Sequence, residues 1–366
     1  MTEKTKNLTT VIVIGLFFLI FSVWCFIKPA DALSESERRP LAALPTLDAE
    51  SFFSGEFMQD FEDYTVDQFP LRDDFRTVKA VISFYLLGQK DMNGIYLQDG
   101  YAAQLEYPMN TDSLDNAAAK FTHIYEKYLA QTDAKLYLSV IPDKNCFMAA
   151  ENGYPAMDYG ALTAYLRQKT PFLTYIDIFP LLSREDYYKT DTHWRQEALT
   201  DVAQSIAQSM GTSLRAEYTV QAADKPFYGV YYGQSALPLP PDTLQYLTND
   251  TLDACTVYDH ETDSLLPVYD LEKAEGKDPY ELFLSGSKSL LALTNPNADS
   301  QRRLIVFRDS FGSSLVPLLA EAYAEITLVD IRYLSSEVLD RFVDFENCDV
   351  LFLYSTLVLN NSVTLK

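Results

Sequence analysis

The chain has 366 residues, of which 48% are apolar and 13% aromatic, and its formal net charge is −23. This apolar content is enough for a packed core and excludes an intrinsically disordered chain. The negative charge excludes nucleic acid as a partner, because binding phosphates requires clustered Lys and Arg. It also argues against electrostatic docking on anionic lipid.

The N-terminal segment is strongly apolar. Residues 9–27 carry no charge and are long enough to cross a bilayer as a helix. We therefore predict a cytoplasmic tail and a single membrane anchor over residues 1–30, with the main domain outside the cytoplasm. A cleaved signal peptide is the alternative, because residues 30–32 (Ala-Asp-Ala) have the pattern of a cleavage site.

The next stretch, residues 31–50, is polar and broken by prolines, which is typical of a linker. We assign residues 51–366 to one domain. Its apolar spacing predicts two helices, at 52–64 and 72–87, and turn residues then predict a hairpin at 93–101.

Further along the chain, helices alternate with short apolar strands. The predicted helices are 113–132, 159–169, 194–210, 313–324 and 335–343, and the predicted strands are 135–141, 172–178, 303–307, 325–329 and 349–354. This alternation predicts an α/β fold with a doubly wound parallel sheet. Residues 212–300, rich in Tyr and Pro, interrupt it as an irregular insertion.

The first chemical motif is Asp191-Thr192-His193-Trp194, just before a predicted helix. Histidine suits proton transfer near neutral pH, and an Asp two residues away can hold its second ring nitrogen. The alternative is structural: Asp191 or Thr192 caps the following helix.

The second motif is Asp309-Ser310-Phe311, which follows the strand at 303–307 and precedes a helix. Ligands bind at the carboxyl ends of strands in open α/β sheets, and an amide at a helix N-terminus can stabilise an oxyanion. Again the alternative is a helix cap, by Asp309, Ser310 or Ser313. Together the two motifs offer a nucleophile, a base and an orienting acid.

No cofactor or metal is expected from the sequence. The four cysteines are far apart and include no Cys-x-x-Cys pair, which argues against zinc. No Gly-x-Gly-x-x-Gly follows a strand, which argues against a dinucleotide.

The sequence Thr-Asp-Thr-His-Trp with a later Asp-Ser-Phe resembles the DHHW proteins and the periplasmic alginate O-acetyltransferase proteins, which are SGNH-hydrolase-like. The His motif precedes the Ser motif, as in the circularly permuted members of that group. Further similar pieces lie at 34–45, 67–73, 141–144, 227–232, 280–287 and 330–333. The resemblance implies a circularly permuted SGNH-hydrolase-like fold after one transmembrane helix.

The resemblance also implies roles for individual residues. Ser310 would be the nucleophile, His193 the general base and Asp191 the orienting acid. The candidates for substrate or oxyanion contacts are Arg332, Tyr333, Trp194 and Ser287. For Trp194, packing of its loop is the alternative to stacking on a sugar.

The chain departs from the family pattern at two places. Thr192 stands where the DHHW name has a His, which matches the alginate-type version instead. The SGNH pattern expects a Gly and an Asn as oxyanion donors, but residues 286–287 read Gly-Ser and no Asn takes the second position.

In function, the resemblance implies a cell-surface O-acyltransferase that transfers acetyl groups to an envelope or exported polysaccharide. An integral membrane O-acyltransferase would be its partner and would supply the acyl group across the bilayer. Two alternatives stay open: an acyl esterase on the same kind of substrate, and a non-catalytic glycan-binding scaffold of an envelope assembly complex.

Overall fold

The computed structural model describes residues 2–215 and 217–366, apart from the side chain of Phe26. Met1 and Ala216, which fall within the predicted tail and the predicted insertion, lie outside the described residues. The chain divides into two units. The first runs to Asn93 and includes Tyr232–Pro238, and the second comprises Gly94–Tyr231 and Leu239–Lys366.

The first unit begins with helix α1, Glu3–Ile27. Over Glu3–Cys25 its mean hydropathy reaches 2.5 and none of the most apolar window is buried. Within the described part of the chain, this is the one helix whose length and composition suit a membrane crossing. The predicted apolar helix is therefore present. That it crosses a membrane, with the main domain outside the cytoplasm, stays a prediction.

The remaining elements of the first unit are β1 Leu33–Ser34, β2 Arg39–Pro40, α2 Ala49–Ser54, α3 Glu56–Asp67 and α4 Arg72–Val81, which continues as a π-helical turn, Ile82–Leu86. The carboxylate of Asp67 accepts two hydrogen bonds from Arg39, at 2.7 and 2.8 Å. Glu37 pairs with Arg72 at 2.6 Å and with Arg76 at 3.1 Å. The first part of the predicted linker is thus fixed to α3 and α4 by ion pairs.

The second unit holds the large sheet. Its strands are β3 Ile95–Gln98, β4 Tyr101–Gln104, β5 Lys135–Ile141, β6 Thr174–Tyr175, β7 Thr219–Phe227, β8 Asp242–Thr248, β9 Thr256–Asp259, β10 Ser264–Leu266, β11 Leu290–Thr294, β12 Arg303–Arg308, β13 Glu325–Val329 and β14 Cys348–Ser355. The helices that follow α4 are α5 Thr111–Ile124, α6 Asn145–Met148, α7 Tyr159–Lys169, α8 Thr200–Ser209, α9 Val230–Ser235, α10 Asp250–Ala254, α11 Leu271–Ala274, α12 Gly312–Leu315 and α13 Thr356–Leu359. Short π and 3₁₀ turns join several of them.

Eight strands form the main sheet, in the order β10-β9-β11-β13-β12-β14-β5-β6. The five strands from β13 to β6 are parallel, whereas β11, β9 and β10 are added antiparallel. The predicted α/β class with a parallel sheet is confirmed. The region expected to be irregular contributes the three antiparallel strands and a separate hairpin, β7–β8.

Both faces of the sheet are covered, because alternate residues of a strand point to opposite sides. On β12, Leu304 and Val306 pack in the cluster that contains α8, whereas Ile305 and Phe307 pack in the cluster that contains α5 and α7. This arrangement explains why the strand is an unbroken apolar run in the sequence.

Three predicted helices differ from expectation, and the one predicted at 335–343 is a 3₁₀ segment, Ser336–Arg341. The helix predicted at 194–210 becomes a 3₁₀ turn, Gln196–Ala198, followed by α8 from Thr200. The helix predicted at 313–324 is α12 followed by a 3₁₀ segment, Val316–Ala322. Pro317 lies at the start of that segment, and its missing N–H does not support a continuing α-helix.

Truncation of Phe352 tests the packing on the face of the sheet that α5 and α7 cover. Its ring lies 4.8 Å from that of Phe307 and 4.7 Å from that of Phe121, on the central strand β14. We expect Phe352→Ala to lower the free energy of unfolding by about 3–5 kcal/mol, because it leaves a cavity. The matched change Leu265→Ala, at a side chain 69% exposed on the edge strand β10, should alter it by less than about 0.5 kcal/mol. Equal losses in urea denaturation would contradict this core.

Candidate active site

Parallel strands β5, β12 and β14 end at the same edge of the sheet. In register, Arg308 pairs with Leu353, and Ser355 pairs with Ile141. The polar residues that follow these strands, Ser310 among them, are therefore brought to one place. This carboxyl edge is where open α/β sheets bind ligands.

The turn that carries Ser310 is fixed by the side chain before it. Asp309 accepts hydrogen bonds from the N–H of Phe311 at 3.0 Å and from that of Ser355 at 2.7 Å, which ties β12 to β14. Helix α12 has Phe311 at its N-cap and no side-chain cap. Ser310 is therefore not a helix cap, and its hydroxyl is available for another partner.

The loop that carries His193 is a tight hairpin. A β-bridge joins Tyr187 to Trp194, and the N–H of Tyr188 donates to the carbonyl of His193 at 3.1 Å. Helix α8 starts beyond this hairpin, with Leu199 at its N-cap. The carboxylate of Asp191 instead accepts the N–H of His193 at 3.0 Å. Neither of the cap alternatives describes this loop.

Asp191, His193 and Ser310 form a continuous hydrogen-bond chain. His193 Nε2 lies 2.9 Å from Ser310 Oγ, and Nδ1 lies 2.6 Å from Asp191 Oδ1. Asp191 is fully buried and His193 is 8% exposed. An ionised carboxylate only accepts, so this geometry suits a tautomer with the proton on Nδ1 and an acceptor at Nε2 that faces the Ser310 hydroxyl.

Two buried side chains hold the loops together. The indole N–H of Trp194 donates to the carbonyl of Phe311 at 3.1 Å and to Ser314 Oγ at 3.0 Å. Gln196 Nε2 donates to the carbonyl of Ser314 at 2.7 Å. Trp194 is fully buried, so the structure places it in the packing of the loop and not in an open sugar-binding position.

Tyr280 covers one face of the imidazole. Its ring stacks on His193 with centroids 3.8 Å apart and planes 10° apart, and its hydroxyl donates to Ser314 Oγ at 2.8 Å. Burial raises the pKa of Tyr280 well above its usual range, so the phenol stays neutral. Sequence reasoning did not single out this residue, because no local pattern links a Tyr in the insertion to a histidine elsewhere.

Lys144 lies in one of the segments that resemble the family, 141–144, but the sequence assigned it no role. It follows β5, is 1% exposed, and donates from Nζ to the carbonyls of Tyr188 at 2.6 Å and Lys189 at 3.3 Å. Burial lowers its pKa to about 7, against opposing effects of Asp191 and Asp242. It thereby anchors the hairpin that carries Asp191.

The other predicted contact residues lie in less enclosed places. Arg332 binds the buried carboxylate of Asp330 at 2.6 and 2.9 Å. Tyr333 is 51% exposed beside that guanidinium, and Ser287 is exposed in a loop. In the described residues, neither Tyr333 nor Ser287 makes a hydrogen bond to Asp191, His193 or Ser310.

The backbone amide of Ser310 is a candidate donor to an anion. The backbone N–H of Ser310 makes no hydrogen bond to any described residue. It lies two residues after β12 and is held in the Asp309 turn next to the start of α12, where a partial positive charge favours anions. No Asn is found there, so the second SGNH-type donor has no counterpart among the hydrogen bonds of this turn.

The three cysteines of the second unit have thiols that resist ionisation. The cysteines are free thiols, and burial raises the pKa of Cys146 to about 12 and those of Cys255 and Cys348 to about 11. Such thiols are poor nucleophiles. Across residues 2–215 and 217–366, no three His, Cys, Asp or Glu side chains are grouped to hold a metal ion.

Gly229 offers a test of the orienting acid. A Cβ at this position would lie 2.3 Å from the Cβ of Asp191, so Gly229→Ala must displace that residue. We expect much slower labelling of Ser310 by phenylmethanesulfonyl fluoride, because His193 loses its orientation. Gly160→Ala, whose new Cβ would meet only Asp158 Oδ1 at 3.4 Å, is the matched control. Unchanged labelling of the Gly229 variant would contradict this packing.

Lys144 makes stability depend on pH in a defined direction. Between pH 7 and pH 10 an unfolded lysine, with its ordinary pKa of 10.5, binds a proton that the buried folded-state lysine has largely lost. Stability therefore rises with pH, by up to about 1.4 kcal/mol per pH unit for one proton. We expect the free energy of unfolding of the wild type to rise across this window relative to Lys144→Met. A flat difference in urea denaturation would show that Lys144 titrates normally.

Comparison with known proteins identifies solved structures that share this fold. No family model matches the sequence, and no curated protein matches it significantly. Among solved structures, a DHHW family protein from Eubacterium siraeum is 20% identical with a TM-score of 0.58, covering 74% of this chain and 93% of that one. Bacillus cereus PatB1 is 19% identical with a TM-score of 0.57, covering 72% of this chain and 96% of that one. A second PatB1 structure, with a sulfonyl adduct, has a TM-score of 0.55. The chain therefore has the fold of a DHHW family protein and of PatB1, as the resemblance of its motifs implied.

Proposed function

We propose that this chain is a cell-surface O-acyltransferase that uses Ser310 as its nucleophile. The observation that carries the proposal is the unbroken hydrogen-bond chain from Asp191 through His193 to Ser310 at the carboxyl edge of the sheet. The motif resemblance supports acetyl transfer in particular. The shared fold with a DHHW family protein is consistent with it.

In the first half of the reaction, Ser310 would become acylated. His193 Nε2 takes the hydroxyl proton while Oγ attacks the acyl carbonyl, and a tetrahedral oxyanion forms. The free N–H of Ser310 is positioned to stabilise that charge. When the intermediate collapses, the bond to the donor's leaving group breaks and His193 returns the proton to that group.

In the second half, a sugar hydroxyl attacks the acyl-serine. His193 removes the hydroxyl proton, the new ester forms, and Ser310 leaves with the proton restored. Asp191 stays ionised and holds the imidazole in one tautomer throughout. If water replaces the sugar, the same steps release a free acid, which is the esterase reaction.

The acceptor we propose is a polysaccharide of the envelope. The net charge of −23 repels polyanions at long range, which suits a neutral glycan. Tyr333 and Arg332 present an exposed aromatic ring beside a guanidinium, with the guanidinium carbon 5.5 Å from the ring centroid. These two residues are the candidate sugar contacts.

We place the catalytic unit outside the cytoplasm, tethered by α1. The length and apolar composition of α1 support this location. Activated acetyl donors are cytoplasmic, so an acyl group must be carried across the bilayer to reach Ser310. An integral membrane O-acyltransferase is the proposed partner for that step.

Transfer and hydrolysis can be separated with one assay. The full chain in nanodiscs is supplied with an activated acetyl ester and a neutral oligosaccharide, and the products are separated by mass spectrometry. Acetylated oligosaccharide supports the transferase. Acetate alone selects the esterase, and no turnover together with retained oligosaccharide binding selects the scaffold.

Substitution of Ser310, His193 or Asp191 should lower the rate of acetyl transfer. We expect Ser310→Ala and His193→Ala to abolish measurable acetyl transfer, and Asp191→Asn to lower it by about 10⁴-fold because the imidazole adopts the wrong tautomer. His123→Ala, which alters a histidine of α5 paired with Glu337, is the matched control and should leave turnover unchanged. Full transfer by the Ser310 variant would refute the proposal.

A further inference from the structure

Helix α4 and its π-helical extension expose an apolar stripe. Leu71, Phe75, Val78, Ile82 and Leu86 follow helical spacing, and their exposures are 48, 42, 55, 44 and 77%. We call these five residues the α4 stripe. Contiguous apolar surface of this kind marks an interaction site.

The opposite side of α4 is bound within the first unit. Arg72 and Arg76 both pair with Glu37, at 2.6 and 3.1 Å, and Arg76 also donates to the carbonyl of Gly233 at 3.0 Å. These contacts fix the rotation of the helix about its axis. The α4 stripe is consequently held facing outward.

One end of the α4 stripe touches the apolar helix α1. The ring of Phe21 in α1 stacks on Phe69 with centroids 5.4 Å apart, and it lies 5.8 Å from the ring of Phe75. Phe21 is about six residues from the end of α1 at Ile27, or roughly 9 Å along the helix axis. If α1 crosses the bilayer, the Phe75 end of the stripe lies below the membrane boundary.

Two ion pairs lie near this contact. Lys28 pairs with Asp31, and Arg39 pairs with Asp67 at 2.7 Å, so these ions are not left unpaired near lipid. Lys79 borders the stripe and is exposed, and a lysine stem can lie on apolar surface while its ammonium reaches water. With a net charge of −23, binding would depend on apolar contact and not on anionic lipid.

We propose that α4 is an interfacial helix, whose stripe is buried at the boundary between headgroups and acyl chains of the bilayer that α1 crosses. The first unit would then be attached to the membrane at two places, the span and this helix. The inference rests on the proposed membrane location of α1. It does not depend on the proposed transfer chemistry.

Photo-crosslinking in the full chain tests the proposal. p-Benzoylphenylalanine is placed singly at Val78, Ile82 or Asp73, and each variant is reconstituted in phosphatidylcholine nanodiscs and irradiated. Asp73 lies on the opposite side of α4, where it accepts a hydrogen bond from Ser36. We expect lipid adducts by mass spectrometry at Val78 and Ile82 and none at Asp73.

The same probe at Phe18, which is 64% exposed on α1, reports on the span itself. Lipid adducts at Phe18 but not at Val78 and Ile82 would overturn the interfacial helix alone. Adducts between two copies of the chain at Val78 would show a self-association surface and would also overturn it. Absence of lipid adducts at all positions would overturn the membrane span and, with it, the interfacial helix. Acetyl transfer is measured separately in the same samples, so this outcome would leave the proposed transfer chemistry standing.

Discussion

The candidate site depends on the hydrogen bonds of one buried indole. Trp194 follows His193 directly, and its N–H donates to Phe311 and Ser314, on the segment that follows Ser310. The two motifs lie 117 residues apart, so their distance is set by tertiary contacts and not by the local backbone. Tyr280 donates to the same Ser314 hydroxyl, so Trp194 and Tyr280 are both bound to the segment that follows Ser310.

A second set of contacts holds Asp191. The N–H of Val230 donates to Asp191 at 2.8 Å, Gly229 leaves room for its side chain, and Lys144 binds the carbonyls just before it. A buried carboxylate without such partners would be costly, because it has lost its water. These contacts therefore stabilise the loop and keep the Asp191 carboxylate next to the imidazole of His193.

Much of the fold could be predicted because its signals are local. The strands at 135–141 and 325–329 match β5 and β13, since short unbroken apolar runs are typical of a parallel sheet. The hairpin β7–β8 could not be predicted, because most of β7 is exposed and has no alternating apolar face. Likewise Asp191, His193 and Ser310 stand in recognisable motifs, whereas the contributions of Tyr280 and Lys144 arise only from contacts distant in sequence.

We propose that His193 and Asp191 activate Ser310 as a nucleophile. Its most direct test is rapid mixing of the full chain with p-nitrophenyl acetate, followed by peptide mapping of the quenched protein. We expect a burst in which one p-nitrophenol is released for each protein molecule, with the acetyl group on the peptide that contains Ser310. No burst, or an acetyl group on another residue with Ser310 unmodified, would contradict it.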